Sequence, residues 1–153
     1  MEKRTYRGVS LALTVILLLT MAFSLSACGS KQLTQETFVK VMRENGFGIK
    51  NESEDGMIAL SATDTNETMM FTFVTSENIN DIEEGMQELE PNLTDYLTII
   101  KDERDSSSAF VEGYTDKTYM YIIREEKTFF IAVSEMAYKD VMVDIMKQMG
   151  VKV

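Results

Sequence analysis

Hydrophobic residues in this chain form one unbroken run followed by a succession of short periodic segments. The run covers residues 9–24 (VSLALTVILLLTMAFS) and is interrupted only by Ser and Thr. The periodic segments begin at Leu33. Thr34 is a good helix N-cap, Leu33 and Phe38 stand at the N′ and N4 positions of a hydrophobic staple, and Phe38, Val41 and Met42 line one face. Asn45-Gly46 is a natural C-terminal stop. Residues 47–51 then read as a short strand and 52–56 as an acidic turn. Residues 57–62 predict a second strand and 67–75 a third, in which Met69, Phe71 and Phe73 alternate with Met70, Thr72 and Val74.

Ser76 can cap the next helix, whose Ile79, Ile82, Met86 and Leu89 make an apolar stripe and which Pro91 should end at about Glu90. Leu93, Tyr96, Leu97 and Ile100 have helical spacing, so a further short helix is expected before a polar loop at 102–108. Residues 109–114 read as a strand. Residues 118–124 and 128–133, rich in aromatic and β-branched side chains, read as a hairpin around 125–127. A last helix starts near Met136, with Tyr138, Val141, Met142, Ile145 and Met149 on one face and Gly150 as its stop. The order is α-βββ-α-(α)-βββ-α. Strands arriving in adjacent groups of three imply antiparallel pairing and an α+β architecture. Ser76-Glu77 and Ser134-Glu135 each lead from an aromatic strand into a helix, two short matches that suggest a βββα pseudo-repeat behind a leading helix.

The apolar run needs a different reading. Sixteen residues are short for a bilayer-spanning helix, which takes about 20. Lys3, Arg4 and Arg7 precede the run and small residues follow it at Ser26 and Ala27, the layout of a secretory signal peptide. Leu25-Ser26-Ala27-Cys28 also resembles the lipobox of bacterial lipoproteins, matching its L-[AS]-[GA]-C pattern at all four positions. That resemblance implies cleavage between Ala27 and Cys28 and a diacylglyceryl group on the Cys28 thiol. The expected organisation is a removed signal peptide at 1–27, a lipid-anchored tether at 28–32 and a single extracytoplasmic α+β domain at 33–153. Its expected address is the outer face of the cell membrane.

A second resemblance covers much of the remaining chain. Leu33-Thr34-Gln35-Glu36-Thr37-Phe38 with Gly46-Phe47, Thr128-Phe129-Phe130-Ile131-Ala132, Tyr138-Lys139-Asp140 and Gly150-Val151 are similar to stretches shared by small lipoproteins of Gram-positive bacteria, mostly Firmicutes. This supports the address and the fold and transfers no site residue.

Composition narrows the chemistry. The formal charge is −10, and residues 1–27 carry +2, leaving −12 on the other 126 residues. An acidic domain lacks the basic patch of a nucleic-acid binder, and an anionic lipid surface repels it. Histidine is absent, which removes the commonest general base and metal ligand. The single cysteine excludes intramolecular disulfides and multi-cysteine metal sites. Residues 51–56 mimic the start of an EF-hand loop, with Asn51, Ser53 and Asp55 at positions 1, 3 and 5 and Gly56 at 6. Position 12 is Ala62 instead of a bidentate Glu, so a solvated turn is expected and no metal. Met142, Met146 and Met149 share one helix, a pattern open to copper(I), but their spacing matches a core face. Tyr119, Tyr121 and the neighbouring strands could present an aromatic binding face, but one face of each strand must be core, so core positions are expected for them.

No catalytic site is assigned. There is no Ser-centred elbow motif, and 24 carboxylates beyond residue 27 make chance pairs inevitable. The reading is a membrane-anchored, non-catalytic domain without cofactors. It would bind an envelope protein or ligand, and lipoprotein-processing enzymes would act on it. The alternative is an extracytoplasmic hydrolase using carboxylate or Ser/Lys chemistry.

Overall fold

The N-cap and staple of the first helix and the glycine stops of the first and last helices are found in the computed structural model, which describes residues 33–54 and 56–153. Helix α1 (Gln35–Glu44) is capped by the Thr34 hydroxyl, which accepts the Thr37 N–H at 3.2 Å. Leu33 and Phe38 are both buried in the same core. At its other end Gly46 takes φ +80°, and the Phe47 N–H reaches back to the Met42 carbonyl at 2.9 Å. Helix α3 (Lys139–Gln148) ends the same way, with Gly150 at φ +83° and the Val151 N–H on the Met146 carbonyl. Both are glycine-dependent αL terminations in which an L side chain would be strained.

Between them lie seven strands and one helix: β1 (Gly48–Asn51), β2 (Met57–Thr63), β3 (Met69–Ser76), α2 (Ile79–Tyr96), β4 (Thr98–Arg104), β5 (Ser108–Tyr114), β6 (Thr118–Glu125) and β7 (Thr128–Glu135). A 3₁₀ turn (Met136–Tyr138) joins β7 to α3. The strands form one antiparallel sheet in the order β1-β2-β3-β7-β6-β5-β4. The expected α+β class and the helix–strands–helix–strands–helix order both hold. The βββα sequence occurs as β1-β2-β3-α2 and again as β5-β6-β7-α3, with β3 and β7 meeting at the centre.

Both faces of the sheet are covered, and alternation decides which side chain goes where. On one face, Phe71 and Phe73 of β3, Phe130 and Ala132 of β7, and Tyr119 and Tyr121 of β6 meet α1 and α3. On the other, Ala109, Val111, Ile122 and Phe129 meet Ile82 and Met86 of α2. The helices that follow the two strand triplets therefore take opposite faces. Phe38 ties α1 to the sheet centre, its ring 5.5 Å from that of Phe73 and 6.5 Å from that of Phe130. Met142, Met146 and Met149 are buried there, their thioethers filling core. Among the described residues no helix is long and apolar enough to cross a membrane.

Four features of the fold differ from the sequence expectation. Helix α2 does not stop at Glu90 but runs through Pro91 to Tyr96. An interior proline removes one backbone hydrogen bond, and continuation is supported by packing on both sides, Ile82 and Met86 before it and Leu97 after it. The residues expected as a separate short helix and polar loop instead supply the end of α2 and strand β4. All seven β4 residues are exposed, so no buried alternation marks this edge strand, and its backbone bonds to β5 hold it. Ser76 belongs to β3. Its hydroxyl accepts the Asn78 N–H and donates to Asp81, so it braces the entry to α2 without capping it. Tyr138 falls in the 3₁₀ turn and Val141 in α3, and both are exposed; Met146 takes the expected place of Val141 in the core, because Met142, Ile145, Met146 and Met149 make one i, i+3, i+4, i+7 stripe and Val141 falls beside it.

Replacing the fully buried Phe38 by alanine removes the ring that joins α1 to the central strands. We expect a loss of about 3–5 kcal/mol, read as a fall in the urea midpoint at unchanged slope. A loss under about 1 kcal/mol would show that α1 is not integral to the core.

Candidate functional site

Three rows of side chains cross the sheet on the face shared with α1 and α3. Register aligns Ser134, Tyr119, Tyr114 and Thr98 in the first row. Ala132, Tyr121, Glu112 and Lys101 form the second, and Phe130, Ile123, Phe110 and Glu103 the third. Toward β7 the rows disappear under the helices, whereas toward β4 they open to solvent: β4 is exposed throughout, and Phe110 and Glu112 are half-buried. The candidate site lies at this transition.

Its centre is Glu112. Both the Tyr119 and the Tyr121 hydroxyls donate to one carboxylate oxygen, Oε1, the Tyr121 bond measuring 3.1 Å. The tyrosines are 3% and 4% exposed, so only their hydroxyl edges reach the carboxylate. Burial, reinforced by the hydrogen bond to Glu112 and its charge, pushes the Tyr119 phenol up to about 12. The same causes raise Tyr121 further. The rings form a continuous aromatic surface: Tyr114 stacks on Tyr119 with centroids 6.3 Å apart, Tyr119 meets Tyr121 at 5.5 Å, and Phe110 meets Tyr121 edge-on at 5.8 Å. Two lysines sit over this surface. Lys139, at the start of α3, places Nζ 4.0 Å from the Tyr119 ring centroid, and Lys101 places its own 4.7 Å from that of Phe110. Lys101 also pairs with Glu103 at 3.1 Å. The Ser134 hydroxyl, next to Tyr119 across the strands, is buried without a hydrogen-bond partner.

A second concavity, about 490 Å³, lies at the far end of the sheet, where Ser76 and Lys127 both line it. Its serines are already engaged. Ser76 donates to Asp81 Oδ2 at 2.7 Å, and Ser53 bonds the Asn51 side chain. The Ser76 hydroxyl is thus aimed at the Asp81 carboxylate and not at a lysine.

Of the residues singled out by sequence, Ala27 and Cys28 lie outside the described residues, as does Asp55. Asn51 ends β1 and its Oδ1 accepts from the Ser53 N–H, so the calcium-like stretch is the connection of a hairpin. Among the described residues no group of three or more His, Cys, Asp or Glu is arranged to hold a metal. Tyr119 and Tyr121 point into the core as expected. What sequence reasoning missed is Glu112, Tyr114 and Lys139. A signal was present: Glu112 falls on the Phe110–Tyr114 side of an otherwise apolar alternation, and a charge there requires partners.

No protein-family model and no curated protein matches the chain. Among solved structures, the PH1012 protein from Pyrococcus horikoshii OT3 is similar at 13% identity over 78% of this chain and 86% of that one. The TM-score is 0.22, and the likeness carries no argument.

The cause assigned to the raised phenols is testable. Stability from a phenol whose folded value lies above the ordinary 10.0 is fully present below pH 10 and is lost as pH rises through about 12. Glu112→Gln removes the charge while keeping the shape. Followed by phenolate absorbance, the Tyr119 transition should move down toward 10.0 but stay above it, because burial remains. An unchanged titration would assign the shift to burial alone.

Proposed function

We propose that this protein is an extracytoplasmic lipoprotein, held on the membrane through diacylglyceryl-Cys28, whose folded domain binds a ligand or partner of the cell envelope and catalyses no reaction. The anchor is supported by the basic residues, the apolar run and Leu25-Ser26-Ala27-Cys28 in register. The observation that carries the binding reading is the fixed state of the tyrosine–glutamate cluster. Its phenols stay protonated through neutral pH, and each donates to Glu112. Such groups neither abstract a proton nor attack a carbonyl at pH 7. What the cluster does is hold aromatic rings and charges in set positions on a face open to solvent, which is the requirement of a recognition surface.

Cys28→Ser should abolish lipidation and remove the protein from the membrane-anchored fraction, while the wild type yields a mature chain beginning at a modified Cys28 in mass spectrometry. A native chain beginning at Met1 with an unmodified Cys28 would overturn the anchor.

A further inference from the structure

We propose that the solvent-open end of this sheet face is a carbohydrate-binding subsite, where the exposed ring of Tyr114 stacks on the apolar face of a sugar and Glu112, Lys101 and Lys139 hydrogen-bond its hydroxyls. The inference rests on the binding reading above and narrows its ligand.

The two oxygens of Glu112 are not equivalent. Oε1 takes both phenol hydrogens, whereas Oε2 has no hydrogen-bond partner among the described residues and is not among the buried atoms lacking one. An acceptor is therefore fixed in place and left accessible. Lys101, directly across the strands from Glu112, turns instead to Glu103 and the Phe110 ring, and Lys139 lies over Tyr119. Each ammonium has three donors and keeps capacity for a ligand. Beside this polar row, Tyr114 stacks one ring face on Tyr119 and is 36% exposed, with the small, exposed Thr98 as its neighbour on β4.

Charge then selects the ligand class. The chain as a whole is strongly acidic, at −10, yet here two carboxylates, Glu103 and Glu112, are matched by two ammonium groups. A cationic ligand meets Lys101 and Lys139 beside the carboxylate, and an anionic one meets Glu103 and Glu112. A purely apolar ligand would bury Oε2 and the ammonium groups without partners, which is costly. A neutral polyol satisfies every group. Its hydroxyls both donate to Oε2 and accept from the lysines, and its C–H face covers the tyrosine ring.

Calorimetric titration of the full chain in a sugar-free detergent, with neutral oligosaccharides of glucose and of N-acetylglucosamine, tests this directly. At least one should bind saturably. Tyr114→Ala should weaken it about tenfold, the loss of one stacked ring, and Tyr114→Phe should leave it nearly unchanged. Glu112→Gln should also weaken binding, and thermal melts of each variant establish that it is folded. Failure of both sugar series to bind overturns the proposal, as does binding insensitive to Tyr114→Ala, or a saturable response to tetramethylammonium in place of sugar. If sugar binding fails while membrane retention still depends on Cys28, the anchored-lipoprotein reading stands and only the carbohydrate class falls.

Discussion

The pairing of β3 with β7 is the contact on which the rest of this structure depends. It joins two strands that are separated in sequence by α2 and three further strands, and it turns two small meanders into one seven-stranded sheet. Flanked by strands on both sides, the pair presents apolar residues in both directions. Phe71, Phe73, Phe130 and Ala132 point one way, Val74, Phe129 and Ile131 the other. A sheet with two apolar faces must be covered twice, so α1 and α3 pack on one side and α2 on the other. The Phe38–Phe73 and Phe71–Phe130 stacks tie the covering helix and the two meanders into one core.

The same constraint explains why the candidate site lies where it does. Two short helices, ten residues each, cover one face. Seven strands at about 4.8 Å spacing make the sheet too wide for such helices to cover completely. Cover ends near β6, and the side chains beyond it are graded from apolar to charged. Tyr119 and Tyr121 stand at the boundary, with buried rings and hydroxyls that must find acceptors. Glu112 supplies one. The cluster is thus a local answer to the edge of the core as well as the feature that arranges a surface. The unpartnered Ser134 hydroxyl, in the same row as Tyr119, lies deeper under the helices.

Charge serves the outer strand differently. Strand β4 carries Lys101, Asp102, Glu103 and Arg104 in succession, with the Arg104 guanidinium on Asp102 at 2.6 Å. An exposed edge strand is a template for unwanted pairing, and a charged edge opposes it. That composition also removes the alternation that marks a strand, which is why these residues read as helix and loop in the sequence.

Sequence by itself determined the elements whose signals are local. The Thr34 cap, the glycine stops at Gly46 and Gly150, and the alternation in β3 each rest on the dihedral or hydrogen-bonding preference of one or two residues, so neighbouring residues suffice to read them. The α+β class followed from the order of those elements. Tertiary structure alone decided the rest. Passage of α2 through Pro91, pairing of an exposed β4 with β5, the opposite faces taken by α2 and α3, the bonding of Tyr119 and Tyr121 to Glu112, and the placing of Lys139 over Tyr119 all depend on contacts between elements. No local propensity encodes such contacts, because their free energy exists only once the sheet has brought the partners within reach.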